Sequence, residues 1–277
     1  VQLKKLKERT NLLVGGAITV IVVAMAIFSP FLAPYHPTDD ADLLNSEEPP
    51  NETFLLGTDV QGRDILSRVI YGSRVSLSVG LISQLMNTII GIILGLTAGF
   101  LGKWWDDLVM GLTNIMLSIP SLIFALAVMA ILGPGLFNVF LALGLTNWSY
   151  TCRITRSQVL FTRSLDYVTA ARALGYGPVR IMFNQILPNI MGPILVMTTL
   201  GVAYAILLEA SLSFLGLGVQ PPTPSWGGML ATAREQLFTA PWISIFPGLA
   251  IFITVLGLNL LGDGLRDILD PHTTKQK

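Results

Sequence analysis

Charge is scarce in this chain of 277 residues: only 12% are Asp, Glu, Lys or Arg, against about a quarter in ordinary soluble domains. That excludes a protein which surrounds its core with solvated charge. The single cysteine, Cys152, excludes an internal disulfide framework and, in an apolar run, reads as a small core residue. The only two histidines, His36 and His272, lie in polar segments far apart, so no histidine- or cysteine-rich metal site is available. There is no G-x-x-x-x-G-K-S/T phosphate loop, so the chain does not bind ATP in that way. HExxH and GxSxG are missing too, which leaves an intramembrane hydrolase nothing to work with. A formal net charge of zero gives no reason to expect nucleic acid. Any uphill movement catalysed here must draw its energy from elsewhere.

What is present is hydrophobic length. The chain is 52% hydrophobic, and several uncharged runs exceed the ~18 residues that argue for a membrane-spanning helix. The expected fold is an all-α integral membrane protein with six transmembrane helices. Lys4, Lys5, Lys7 and Arg9 precede an apolar run that continues to Leu32. This outruns the ~7–15-residue core of a signal peptide, so an uncleaved first span over about 12–32 is expected. The start at Val1 suggests a trimmed or alternative beginning. An acidic, proline-broken loop follows, and Ile65, Leu66, Val69 and Ile70 mark a short amphipathic helix at the outer surface. Further spans are expected at about 75–101, 108–132, 136–154, 191–218 and 241–261. Lys103 to Asp107 reads as an interfacial turn with Trp104 and Trp105 as anchors. The chain thus divides into an N-terminal segment 1–10, a first span and outer loop 11–72, a five-helix core 73–265, and a tail 266–277.

Few residues inside the spans invite a function. Gly91, Gly95 and Gly99 recur every four residues and read as a packing face for a neighbouring helix. Asn114 and Pro120 share the third span. A mid-span proline frees a carbonyl that a neighbour or a water-filled cavity must satisfy, so they are candidates for pathway lining or gating. Glu209 is the acidic residue deep in an apolar run. It is either a functional carboxylate or one anchored by a neighbouring helix or loop, and the anchored reading is preferred.

Charge orients the chain. With six spans and the N-terminus inside, the inner segments hold 13 of the 17 basic residues, and only Arg63, Arg68, Arg74 and Arg234 lie outside. Such a bias places both termini and the polar stretch 157–190 in the cytoplasm. Within that stretch Asp166 can cap a helix beginning at Tyr167, and Gly175 supplies the left-handed position that ends it. Gly177-Pro178 starts a second helix, with proline where its missing N–H costs nothing, and Pro188 ends or kinks that one. Two short helices about a glycine turn make a surface suited to a partner.

T-A-A-R-A-L-G at 169–175, followed after nine residues by Q-I-L-P, resembles the EAA motif of binding-protein-dependent ABC import permeases. Ala170, Ala171, Gly175, Leu187 and Pro188 match it, whereas Thr169 stands for the motif glutamate and Gln185 for its isoleucine. More specific are L-G-T-D-V-Q-G-R-D-I-L-S-R at 56–68, S-F-L-G-L-G-V-Q-P-P-T-P-S-W-G at 213–227, and N-L-L-G-D-G-L-R-D-I-L-D-P at 259–271. Together they resemble the C-type permease of the dipeptide, oligopeptide and nickel importer group. Asn114 occupies a position where many members of that group have an aspartate.

The resemblance implies a type I ABC importer permease architecture and a non-enzymatic role. It implies a second, homologous permease as partner, two cytoplasmic ATP-binding subunits that carry ATP and magnesium, and an extracytoplasmic solute-binding protein, all at a bacterial or archaeal cell membrane. No cofactor is implied for this chain itself. By the same resemblance Asp166, Tyr167, Thr169, Ala170, Ala171, Arg172, Gly175, Leu187 and Pro188 would couple to the ATPase. Peptide is the implied solute, with nickel, metal chelate or glutathione as alternatives. Two other readings stay open at this stage: a proton-coupled secondary transporter working through Glu209, and a membrane scaffold or receptor that uses the cytoplasmic loop only for assembly.

Overall fold

The computed structural model describes residues 2–269, with side chains from Thr10 onward. The basic side chains of the first nine residues, and His272, Lys275 and Lys277 of the tail, lie outside the described residues. The described chain is helical: α1 Gln2–Ile27, α2 Ile65–Leu101, α3 Lys103–Ser118, α4 Ser121–Leu132, α5 Leu136–Gly144, α6 Trp148–Thr162, α7 Asp166–Ala173, α8 Pro178–Phe214, α9 Trp226–Thr232 and α10 Trp242–Leu269. Four of these, α1, α2, α8 and α10, are long and apolar enough to cross a membrane. The pair α3–α4 makes a fifth crossing if its 92° bend is counted as one broken span.

The expected count of six continuous spans is therefore not met, and the difference lies at two breaks. The third expected span breaks at Ile119-Pro120, because proline cannot continue the hydrogen-bond ladder and biases the residue before it towards extended backbone. The fourth breaks at 145–147 into α5 and α6. Lys103 to Asp107 is the first turn of α3 rather than a turn outside it, its helix opened by Gly102 at φ 67°.

At the other end of α2 the expected surface helix does not exist as a separate element. Asp64 caps α2 by accepting from the Ser67 N–H at 2.7 Å, and the helix then runs unbroken to Leu101. Ile65 and Val69 are buried against Met229, Ala233 and Ile243, so the apolar stripe of 65–70 faces protein and not lipid headgroups. The acidic outer loop is mostly exposed, as expected, but tied to α2: the Tyr35 N–H donates to Ser67 Oγ and Arg68 donates to the Pro37 carbonyl.

All the other spans pack on α2. Its closest neighbour is α6, and the glycine repeat explains how. A Cβ at Gly91 would lie 2.8 Å from the Trp148 carbonyl and 2.9 Å from the Cys152 N–H, and one at Gly99 would lie 2.9 Å from Val159 Cβ. The bare faces let the two backbones approach, as the four-residue spacing predicts. The last helix runs past its expected end at about 261, and Gly262 and Gly264 sit inside α10, where they admit Leu200 of α8 and Leu12 of α1.

The bundle has two distinct ends. The start of α1, the C-terminal ends of α2, α6 and α10, and the beginning of α8 lie together, with α7 packed beneath them. At the opposite end the loop 33–64 meets α9 and the start of α10, where Trp242 Nε1 donates to the Thr58 carbonyl at 3.2 Å.

Candidate functional site

Two regions carry the residues singled out from the sequence: a hairpin below the bundle and a set of polar groups within it. The hairpin begins with α7. Its N-cap is Leu165, not Asp166, and no side chain caps it; Ser164 instead donates back to the Phe161 carbonyl. Asp166 thus occupies the first turn and Arg172 the last, where their charges complement the helix dipole. Gly175 ends the helix at φ 81°. The Tyr176 N–H reaches the Ala171 carbonyl at 3.1 Å and the Gly175 N–H reaches the Arg172 carbonyl at 2.9 Å, the paired bonds of a Schellman close.

Gly177 and Pro178 then start α8 as expected. Pro188 does not end it. Its ring has no N–H and would collide with the carbonyl four residues back, so the preceding turn, Ile181–Ile186, widens to a π-helix and the span continues. The Gln185 carbonyl is met by Asn189 Nδ2 at 2.6 Å and by the Tyr167 hydroxyl at 3.4 Å.

The hairpin separates the nine predicted coupling residues into two sets. Val168 and Ala171 are buried against Leu96, Val159, Ile181 and Ile186, with Leu187 packed beside them. Ala171, one of the residues the resemblance assigns to coupling, thus packs towards its own chain. Asp166, Tyr167, Thr169, Ala170, Arg172, Gly175 and Pro188 are exposed, joined by Leu174, 74% exposed, and Val179, 65% exposed. Those two apolar side chains were missed in the sequence, although their place beside the glycine turn could have flagged them. Arg172 lies over the Phe100 ring, 5.4 Å from its centroid, and Arg180 over Tyr176 at 4.1 Å, which holds both cations close to the hairpin.

Within the bundle the two helix breaks face each other. Ser121, just past the α3–α4 bend, donates to Asn147 Oδ1 at 3.0 Å. Asn87 of α2 spans the α5–α6 break, donating to the Leu143 carbonyl at 3.0 Å and accepting from the Asn147 N–H at 2.9 Å. In a membrane, backbone groups freed at a break need protein partners or water. Asn87 and Asn147 supply them here. Asn114 and Pro120 are both exposed, on the face of α3 and at its bend. Asn114 Oδ1 accepts from Arg153 of α6 at 2.7 Å. Arg156, one turn further on, pairs with Asp106 at 2.5 Å and so ties α6 to α3.

Glu209 is not with them. It is fully buried, and its carboxylate accepts from Ser213 Oγ at 2.7 Å and Ser76 Oγ at 3.4 Å. Ser225 caps α9, and the Trp226 N–H donates to Ser76 Oγ at 3.3 Å. Glu209 thereby links α8 to α2 and, through Ser76, to the start of α9. Glu209→Gln should keep stability and membrane level near wild type, because an amide oxygen still accepts. Glu209→Ala should destabilise by about 1–3 kcal/mol, since it strands buried hydroxyls. Thermal stability of the purified protein checks both, and an unchanged midpoint in Glu209→Ala would mean that these hydrogen bonds do not hold the helices.

Comparison with known proteins agrees with this geometry. The family described as "Binding-protein-dependent transport system inner membrane component" matches residues 91–275, and "N-terminal TM domain of oligopeptide transport permease C" matches residues 2–50. A di/tripeptide transport system permease protein of Pseudomonas aeruginosa is 48% identical, over 93% of this chain and 87% of its own. An oligopeptide transport system permease protein of Bacillus subtilis is 41% identical, over 98% and 89%. A glutathione transport system permease protein of Pectobacterium atrosepticum is also 41% identical, over 93% and 85%. Among solved structures, the MetNI methionine ABC transporter in an inward-facing conformation has a chain that superposes with a TM-score of 0.60 at 18% identity. That match covers 74% of this chain and 98% of the other, a likeness of fold.

Proposed function

Because this chain belongs to the binding-protein-dependent transport inner membrane components, as a permease subunit of the dipeptide and oligopeptide ABC importer family, we propose that its α7 hairpin receives the power stroke of a cytoplasmic ATPase. The chain is a non-catalytic, multi-pass inner membrane protein of bacteria. The observation that carries the proposal is the hairpin itself: a short helix closed at Gly175, packed upward through Val168 and Ala171, and presenting Ala170, Leu174 and Val179 away from the bundle. An exposed helix of this kind fits a groove on a partner.

In this reading both termini and the hairpin are cytoplasmic, and a second, homologous permease completes the pathway. Two ATP-binding subunits, holding ATP and magnesium, dock on the two permeases, and an extracytoplasmic binding protein delivers solute at the end where loop 33–64 meets α9. Closure of the ATPases moves α7, and through its buried face α2, α6 and α8, as a rigid body. The favoured solutes are small peptides. Glutathione is the second reading, favoured by the 41% identity to a glutathione permease protein. The test is reconstitution of the complete importer in liposomes with labelled dipeptide and labelled glutathione offered separately. ATP-driven uptake of dipeptide supports the first reading and of glutathione the second. Uptake that persists with the ATPase subunits inactivated would sink both.

A further inference from the structure

Arg153, counted with the inner segments by charge, stands on α6 nine residues before its end and pairs with no acid among the described residues. Asn114 lies about 16 Å along α3 from Lys103, at 1.5 Å per residue, and Trp104 and Trp105 mark the membrane interface at that end. That depth is near the middle of a hydrocarbon layer about 30 Å thick. Arg153 lies level with it, since α6 at Cys152 meets α2 between Gly91 and Gly95. The guanidinium is exposed, and its hydrogen bond to the Asn114 amide oxygen is the only one it makes among the described residues. Nor does it join any of their ion pairs, whereas Arg156, one turn away, has Asp106. Its hydrogen bond holds it sideways against α3, which is not how a side chain reaching for the membrane surface would lie.

A charge at that depth costs about 2.5–3.5 kcal/mol in lipid, which favours a polar space beside the face that carries it. The surroundings agree. Tyr150 and Ser157 of α6 and Ser118 of α3 are exposed with it, and Pro120 is exposed at the α3–α4 bend. We infer that Arg153 and Asn114 form a carboxylate-recognition point on the wall of the translocation pathway. A guanidinium has five N–H donors in a planar fork that matches a carboxylate, and one bond to Asn114 leaves most of them available. The amide orients the fork without neutralising it. Solutes carrying a free carboxylate, as peptides do at their C-terminus, are the class it takes. This inference rests on the importer reading but is tested separately from it.

The probe is a pair of membrane-impermeant thiol reagents, one anionic and one cationic, applied to Tyr150→Cys in the assembled complex with Cys152→Ser as background. The anionic reagent is expected to react at least threefold faster than the cationic one. That ratio should fall to near one in Arg153→Gln and in Asn114→Asp, which supplies a counter-ion, and should survive in Arg153→Lys. Ser157→Cys gives the same reading should Tyr150→Cys fail to assemble. If neither thiol is labelled, the face is covered by lipid or by a partner helix and the inference is overturned; equal rates with Arg153 intact also overturn it. Because labelling needs no transport, a complex without ATP-driven uptake would defeat the importer reading and leave the charge at this face still measured.

Discussion

Ala170→Trp is expected to reduce ATP-driven uptake at least tenfold while the protein inserts and accumulates normally. Ala170 is exposed, on the side of α7 opposite Val168 and Ala171, so an indole there disturbs no internal packing. It obstructs only what approaches from below. A tenfold loss corresponds to about 1.4 kcal/mol, which a single bulky residue in a helix-in-groove contact readily costs. Gly175→Pro attacks the same hairpin from within. Proline holds φ near −65°, whereas Gly175 needs 81°, and it removes the N–H that reaches the Arg172 carbonyl. The hairpin should open and uptake should vanish. Membrane fractionation and uptake in liposomes check both variants. Full uptake by both would remove α7 from the path of force, and the Ala170 variant decides the matter where the Gly175 variant accumulates poorly.

The second large effect is expected at the opposite end. Asp59 lies between two arginines: Arg63 at 2.7 Å and Arg68 at 3.3 Å, with all three side chains only about 5% exposed. Asp59 also accepts the Gln61 and Arg63 backbone N–H groups, and Arg68 reaches across to the Pro37 carbonyl. One carboxylate thus holds two guanidiniums and two segments of the outer loop on the start of α2. Asp59→Ala would leave both cations buried and facing each other. Breaking a buried ion pair from one side costs about 3–5 kcal/mol, which should lower the thermal midpoint of the purified protein by about 10 °C. An unchanged midpoint would mean that the cluster is solvated and that the loop is held by other contacts. Arg63→Ala should cost less, because Arg68 remains to pair with Asp59.

Both effects depend on residues visible in the sequence, yet differently. Gly175 could be placed because its role is local: a left-handed turn needs glycine wherever the helix stands. Asp59, Arg63 and Arg68 could be seen only as part of a motif, since their burial depends on Trp242 and loop 33–64 closing over them. Ala171 shows the same limit. Next to Ala170 it looked equally suited to a partner, and only the packing of α7 against α2, α6 and α8 turned it inward.

The sequence by itself determined that this is a helical membrane protein, since uncharged runs of this length have no other stable solvent. It also determined the glycine-lined contact of α2, the glycine turn below the bundle, and the family motifs. These follow from composition, spacing and backbone preference, which are properties of neighbours in the chain. Only the tertiary structure decided where the spans break and what each polar group inside them meets. Asn87 and Asn147 make the α5–α6 break tolerable by bonding across it, Glu209 links α8 to α2 because Ser76 donates to it from the facing helix, and Arg153 stands out because Asn114 lies opposite. In a membrane a polar group has no water to fall back on, so its meaning is set by its partner, and partners are brought together only by the fold.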